Sequence, residues 1–305
     1  MEHIFSLSII IPHFETPDLL EKLLKSIPNL NDIQIIVIDD NSTIKTIDSS
    51  FKKLFNHVKF LTNTSTRKGA GASRNIGLDA ALGKWVLFAD SDDYFMEKFY
   101  FEVSKYFNSD CDIIYFMTDS IYLETGLGAS RHITYAKRTS DFINKPCKKT
   151  ELILRYRHIS PCSKMIRRSV ITNNNIRFDE VLTSDDVLFC AKAGFFADKI
   201  FASPSCIYMI TSSLSSLTSN QSEKHFDIRL SVYINYYNYL KNILDTKSFK
   251  ILQLSASIFI FDSFRYGISK TIETIKILKS FKIKLIRINV ENILFYFKLK
   301  MNKSK

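Results

Sequence analysis

The amino-acid sequence predicts an α/β fold: a mostly parallel sheet flanked by helices, followed by a C-terminal helical extension. Three observations carry this reading. Short apolar runs alternate with helical patterns through the first third of the chain. Those runs are near-continuous in Ile, Val and Leu, as strands buried on both faces require. From about Lys224 the strand pattern stops and a helical one persists.

The elements follow in order. LSIIIP (Leu7–Pro12) reads as a buried strand. TPDLLEKLLKSI reads as a helix, with Thr16 as N-cap, Pro17 at the first helical position, and Leu19, Leu20, Leu23, Leu24 and Ile27 on one face. IQIIVIDD is a second strand that ends in Asp39 and Asp40, and VKFLTN is a third. GASRNIGLDAAL opens a helix and WVLFAD is a fourth strand. CDIIYFMTDSIYL is strand-like, and TSDDVLFCAKAGF opens another helix. A Ser-rich loop follows Thr211. Two regions result: a catalytic-type domain over 1–222 and a helical, basic and amphipathic region over 223–305.

Composition narrows the function classes. With 46% hydrophobic residues in 305, the chain can bury a sizeable core. The net charge is +11, but Lys270–Lys305 holds ten Lys/Arg against two Glu, so +8 lies in the tail. The remainder is only mildly basic, which argues against a nucleic-acid groove. The five cysteines form no CxxC pair, so neither a zinc site nor a disulfide framework is expected. MEHIFSLSIIIPHF lacks a basic leader region and reads as a strand rather than a signal peptide. Ile200–Ser222 is uncharged but rich in Ser and Thr, a poor membrane span. A cytoplasmic protein is expected, soluble or peripheral on the inner face of the cell membrane.

LFADSDDYF packs Asp90, Asp92 and Asp93 into four positions after an apolar run. A polar turn with a helix cap explains such a cluster in part. Ligands of open α/β sheets bind beyond the carboxyl ends of the strands, however, and Asp39/Asp40 end another strand. Carboxylates from two strands thus converge on one crevice, where a cation, or a ligand carrying one, relieves their repulsion. GAGASRNIG is not a dinucleotide fingerprint: it does not follow the first strand, and Arg74 replaces the third glycine. An arginine near a helix N-terminus suits anionic oxygens. A phosphatase reading of Asp90-Ser91-Asp92 is disfavoured by the same displacement from the first strand. Asp185 and Asp186 form a second acidic pair, shortly after the basic PCSKMIRRS.

SIIIPHFE, IIVIDDNST, GASRNIGLDAALGKWVLFADSDDYF and SKMIRRSVITNNNIRFDEVLTSDDVLF together make the chain resemble a family 2 glycosyltransferase. The resemblance implies a GT-A fold, with a Rossmann-like mixed sheet. It also implies transfer from a nucleotide-diphospho-sugar, a UDP-sugar above all, with inversion. Pro12, Phe14, Asp40, Arg74, Asn75, Asp90 and Asp92 fall in the donor site, with Asp40 at the nucleobase. Asp90, Asp92 and Asp93 take Mg²⁺ or Mn²⁺. Asp186 is the catalytic base, and Asp185 stands where Glu is usual. The acceptor is a surface polysaccharide or lipid-linked glycan, and the basic tail Phe281–Lys305 meets an anionic membrane surface or packs on the catalytic domain. Two departures stand out: Phe14 replaces a Tyr, and Thr211 replaces an Arg, so that the diphosphate contact is either missing or supplied by another residue such as Lys164 or Arg167. The rival readings are a polyol-phosphate or nucleotidyl transferase using the same crevice, and a non-catalytic partner with the same fold.

Overall fold

The structure, a computed structural model, describes residues 5–213 and 222–285. The Ser-rich connection after Ser213 and the tail beyond Leu285 lie outside the described residues. Strands and helices alternate first: β1 (Phe5–His13), α1 (Pro17–Lys25), β2 (Ile33–Asp39), α2 (Ser49–Leu54), β3 (Val58–Thr62), α3 (Ala70–Ala80) and β4 (Gly83–Phe88). A mixed segment follows: β5 (Tyr94–Phe95), α4 (Phe99–Ser104), β6 (Ile113–Tyr122), α5 (Ile133–Asn144), α6 (Lys148–Arg157), β7 (Lys164–Arg167), α7 (Arg168–Asn173), α8 (Asp186–Phe196) and β8 (Ile200–Ser212). Then come α9 (Glu223–Ile243), α10 (Thr246–Leu252), α11 (Ser257–Ser263), a 3₁₀ turn at Phe264–Tyr266, and α12 (Ile268–Ser280).

The eight strands form one sheet in the order β3-β2-β1-β4-β7-β6-β8-β5. Its first half is parallel throughout, β1 pairing with both β2 and β4, and β2 with β3. β6 and β8 are parallel too, while β7 runs antiparallel between β4 and β6, and β5 antiparallel beside β8. Near-continuous apolar sequence explains the centre: Leu7–His13 of β1 is buried throughout, and β4 buries all but Lys84. Because β1, β2 and β4 are parallel, their carboxyl ends share one edge, where His13 pairs with Asp39.

The basic PCSKMIRRS segment differs from its reading as a source of phosphate contacts. Its centre is β7, and Lys164 is 1% exposed. The Lys164 ammonium donates to the His158 carbonyl at 2.5 Å and lies over the Tyr115 ring. Burial pulls its pKa down. Arg167 donates to the Ser109 and Cys111 carbonyls and stacks over Trp85, 4.8 Å from the ring centroid. Both cations are consumed in framing the sheet.

The described residues group into two compact units, one up to Val232 and one from Tyr233 onward. A single helix runs through that point with no breaker in its sequence. In the second unit Tyr233 packs on Phe259, and Tyr237 meets Phe249 edge-on. Among the described residues no helix is long and apolar enough to cross a membrane.

One buried side chain fixes the far end of α8, whose first residue is Asp186. Arg155 of α6 donates to the carbonyls of Gly194, Ala197 and Asp198 at 2.9, 2.5 and 2.9 Å. The first two are orphan acceptors at the C-terminus of α8 and the third follows its cap, and a cation there also opposes the helix dipole. We expect Arg155→Ala to cost about 2–4 kcal/mol, because hydrogen bonds to a charged donor are worth about 1.5–3 kcal/mol each and are not additive. Urea unfolding of the variant against the parent checks this.

Candidate active site

The site is organised around the first half of α3. Gly69, at φ +116°, adopts backbone that an L side chain resists, and its N–H donates to Asp40 Oδ2 at 2.8 Å. Asp40 Oδ1 accepts from Asn63 Nδ2 at 2.5 Å. Gly71 is required by close approach: a Cβ there would sit 2.3 Å from the Asp179 carbonyl oxygen and 2.9 Å from Asp185 Cβ. The missing side chain lets α3 touch the segment that carries the second acidic pair.

Arg74 then joins the two acidic groups. Its Nη2 donates to Asp90 Oδ1 and its Nη1 to Asp185 Oδ2, both at 2.5 Å. The guanidinium is buried and lies over the Phe178 ring, 5.3 Å from the centroid. Phe178 stacks on Phe189, and Phe88 meets both edge-on. Burial alone disfavours the guanidinium charge, but Asp185 and Asp90 raise its pKa overall. Asn75, expected in the donor site, is spent on structure: Nδ2 donates to the Phe178 carbonyl and Oδ1 accepts from Phe178 N.

The Asp-Ser-Asp-Asp cluster divides into inward and outward members. Asp93, expected among the metal ligands, is buried and accepts from Thr211 N at 2.7 Å. Burial, then the charges of Asp92 and Asp90, push its pKa well up. Asp93 thereby braces the loop against β8. Thr211 completes the brace, its hydroxyl donating to the Asp92 carbonyl at 2.6 Å. The Tyr208 hydroxyl accepts from Asp90 N at 2.8 Å. Ser91 shares a hydrogen bond with Thr16, whose hydroxyl makes no cap on α1.

Asp90 and Asp92 remain for a cation. Among the described residues no group of three or more His, Cys, Asp or Glu is arranged to hold a metal ion. Burial and the Asp90 charge raise the Asp92 pKa, so this carboxylate gains from a cation beside it. Two carboxylates completed by water and phosphate oxygens are a usual environment for Mg²⁺. The residues fit such an ion in that limited sense.

Asp185 precedes α8 and Asp186 is its first residue. Asp186 sits deep in the cleft with some surface still open. Burial, then the neighbouring Asp185 charge, push its pKa up to about 7. Burial raises that of Asp185 too, against the pull of Arg74. One acid of the pair is therefore ion-paired, and the other is left able to exchange a proton near neutrality.

The opposite side is built by β1 and β2. Pro12 is buried in β1, paired with Ile38, and Phe14 stands 49% exposed beyond the strand end. Glu15 accepts from the N–H groups of Thr43, Ile44 and Lys45, which lower its pKa to about 2. His13 Nε2 accepts from Thr16 N, leaving Nδ1–H to donate to Asp39, which also accepts from Ser42. Left-handed backbone at the non-glycine residues Glu15, Asn41 and Ser184 sits directly beside Phe14, Asp40 and Asp185. Such strain costs about 1–3 kcal/mol each and gathers at functional sites.

Arg131 was not found from the sequence. Its Nη1 donates to the Thr211 carbonyl at 2.9 Å, and its charge lowers the pKa of Asp92. The side chain is exposed. No spacing in the sequence links residue 131 to residue 92, since β8 alone brings them together.

The mostly parallel sheet flanked by helices is that of a GT-A fold. The chain belongs to glycosyl transferase family 2, whose profile matches residues 8–173. It is 41% identical over 91 residues to the GalNAc(5)-diNAcBac-PP-undecaprenol β-1,3-glucosyltransferase of Campylobacter jejuni, covering 28% of this chain and 29% of that one. The chain thus aligns with under a third of that relative. Among solved structures, S. aureus TarS 1–349 in complex with UDP-GlcNAc aligns with TM-score 0.66 and 21% identity, over 90% of this chain and 80% of that one. The mannosyltransferase PcManGT of Pyrobaculum calidifontis, in complex with GDP-Man and Mn²⁺, aligns with TM-score 0.55 and 11% identity, over 97% and 80%.

A carboxylate whose native pKa exceeds its unfolded value stabilises the fold below the unfolded pKa and loses that contribution as pH rises through the native one. For Asp186 this window runs from about pH 4 to about 7. We expect Asp186→Asn to be more stable than the parent at pH 8, on the order of 2–4 kcal/mol, and equally stable near pH 4. Denaturant unfolding at the two pH values measures it.

Proposed function

We propose that this protein is an inverting glycosyltransferase that moves a sugar from a nucleotide-diphospho-sugar, with a UDP-sugar as first choice, to a hydroxyl of a surface polysaccharide or lipid-linked glycan. Family membership and the name of the Campylobacter relative support the class of acceptor. The observation that carries the reading is Arg74, which ties the Asp90 side of the cleft to the acidic pair containing Asp186.

The chemistry follows from these placements. Phe14 offers an exposed ring for a nucleobase to stack on, and Asp40 retains acceptor capacity for a base N–H, since each carboxylate oxygen has two lone pairs. Departure of a nucleoside diphosphate concentrates negative charge on its oxygens. Arg131 supplies a cation beside Asp92, in the role that Thr211 cannot fill. Asp90 and Asp92 would hold Mg²⁺ or Mn²⁺, which when bound supplies further charge stabilisation to the diphosphate. Asp186 accepts the proton of the acceptor hydroxyl as that oxygen attacks the anomeric carbon. Displacement in one step on the face opposite the leaving group inverts the anomeric centre.

Incubation with a panel of nucleotide-sugars and an oligosaccharide or lipid-linked acceptor tests this reading. Release of nucleoside diphosphate with transfer of the sugar is expected. Release of nucleoside monophosphate or pyrophosphate would instead mark phosphosugar or nucleotidyl transfer. Asp186→Asn is nearly isosteric, so donor binding should survive while turnover falls by about 10²–10⁴. In the parent, kcat/KM should rise tenfold per pH unit up to about 7 and then level off, because the base must be ionised. Arg131→Ala is expected to act differently, raising KM for the donor roughly tenfold or more, the scale of a hydrogen bond to a charged group. Initial rates over donor concentration separate the two effects.

A further inference from the structure

The α11–α12 hairpin mixes polar and apolar side chains on its buried side while exposing a set of large apolar ones. Ser263, Lys270, Thr271 and Thr274 are buried, with Ser263 Oγ donating to Thr271 Oγ1 at 3.2 Å and Thr274 Oγ1 to the Lys270 carbonyl at 2.8 Å. Ile260 and Leu278 pack inward, but five other large apolar side chains do not: Ile258, Phe261, Phe264, Ile268 and Ile272 are all exposed, Phe261 by 61% and Ile268 by 74%. Single exposed apolar residues are ordinary, whereas a cluster on two adjoining helices marks a surface that meets an apolar environment.

Helical spacing adds a second feature. At 100° per residue, Ile268, Ile272, Lys276 and Lys279 fall on one stripe of α12, apolar at its start and basic at its end. Lys276, Lys279, Lys282 and Lys284 are exposed. Residues 257–284 hold six Lys/Arg against Asp262 and Glu273, a net +4, and residues 286–305 hold five Lys/Arg against Glu291, another +4. A second copy of the chain would bring the same positive face against itself, so charge selects an anionic partner.

We infer that the α11–α12 face docks on the surface of an anionic lipid bilayer, its Phe and Ile side chains entering the headgroup boundary and its lysines lying over the anionic headgroups. This is the pairing by which interfacial helices hold a membrane, apolar area plus about 1 kcal/mol per nearby Lys or Arg. The inference goes beyond the transfer reaction and is tested with no sugar donor present, so either can fail alone.

The experiment is co-sedimentation of the full chain with vesicles of phosphatidylglycerol and phosphatidylcholine, and with phosphatidylcholine alone. Binding is expected to the anionic vesicles only, weakening as salt rises. The Phe261→Ser/Ile268→Ser double variant should bind at least about tenfold less. Lys276→Gln/Lys279→Gln should lose about fivefold per lysine. In a separate variant, Phe261→Trp, fluorescence from the new indole should be quenched by brominated lipid, against the fully buried Trp85 as internal reference. Absence of binding to anionic vesicles at low salt, unchanged binding by the double variant, or an unquenched Trp at 261 each overturns the inference. So does sedimentation showing a dimer of the full chain that the double variant abolishes, which would make this face a contact between copies.

Discussion

The cleft depends on one guanidinium. Asp90, Asp92, Asp185 and Asp186 come from two loops far apart in sequence, and gathering them would be unfavourable without an internal cation. Arg74 supplies it, on a helix whose first turn lies against both loops. A buried ion pair adds little net stability once desolvation is counted, yet loss of one partner is severe. The other contacts of α3 follow the same logic: Gly69 reaches Asp40, Gly71 makes room for Asp185, and Asn75 holds the backbone of Phe178. The site thus takes its positions from four residues, Gly69 at the N-cap of α3 and Gly71, Arg74 and Asn75 within it.

Across the cleft the polar groups divide into those satisfied within the protein and those left available. Glu15, Asp39, His13 and Ser42 spend their hydrogen bonds on each other and on nearby backbone, and in doing so present Phe14. Asp93 and Thr211 do the same for the loop that presents Asp90 and Asp92. Among the available groups, Asp186 is the one whose pKa burial and the Asp185 charge raise to about 7. A raised pKa is what a base working near neutrality needs.

Much of this architecture is legible in the sequence, and the boundary of legibility is physical. β1, β2, β3, β4 and α3 announce themselves because apolar runs and turn residues act locally, and β1, β2 and β4 alone carry Asp40 and Asp90 to a common edge. The acidic pairs are legible as clusters. Their division of labour is not, because it rests on tertiary hydrogen bonds: nothing local says that Asp93 turns toward Thr211 N or that Asn75 clamps Phe178. Lys164 reads as a surface cation until β7 is seen between β4 and β6, with the His158 carbonyl waiting for its ammonium. Arg131 stays invisible for the same reason, since only β8 brings its partner Thr211 into reach.

The Arg74 bridge gives the cleft a built-in counter-ion. Dissolved ions weaken charge attraction between exposed groups and act far less on buried ones. The Arg74–Asp185 half of the bridge, buried on an aromatic bed, therefore holds its side of the cleft in shape with little regard to the salinity around it, whereas the Asp90 half is open to solvent. The same chain would keep the buried side of its site preorganised in dilute and in concentrated electrolyte, without borrowing cations from its medium.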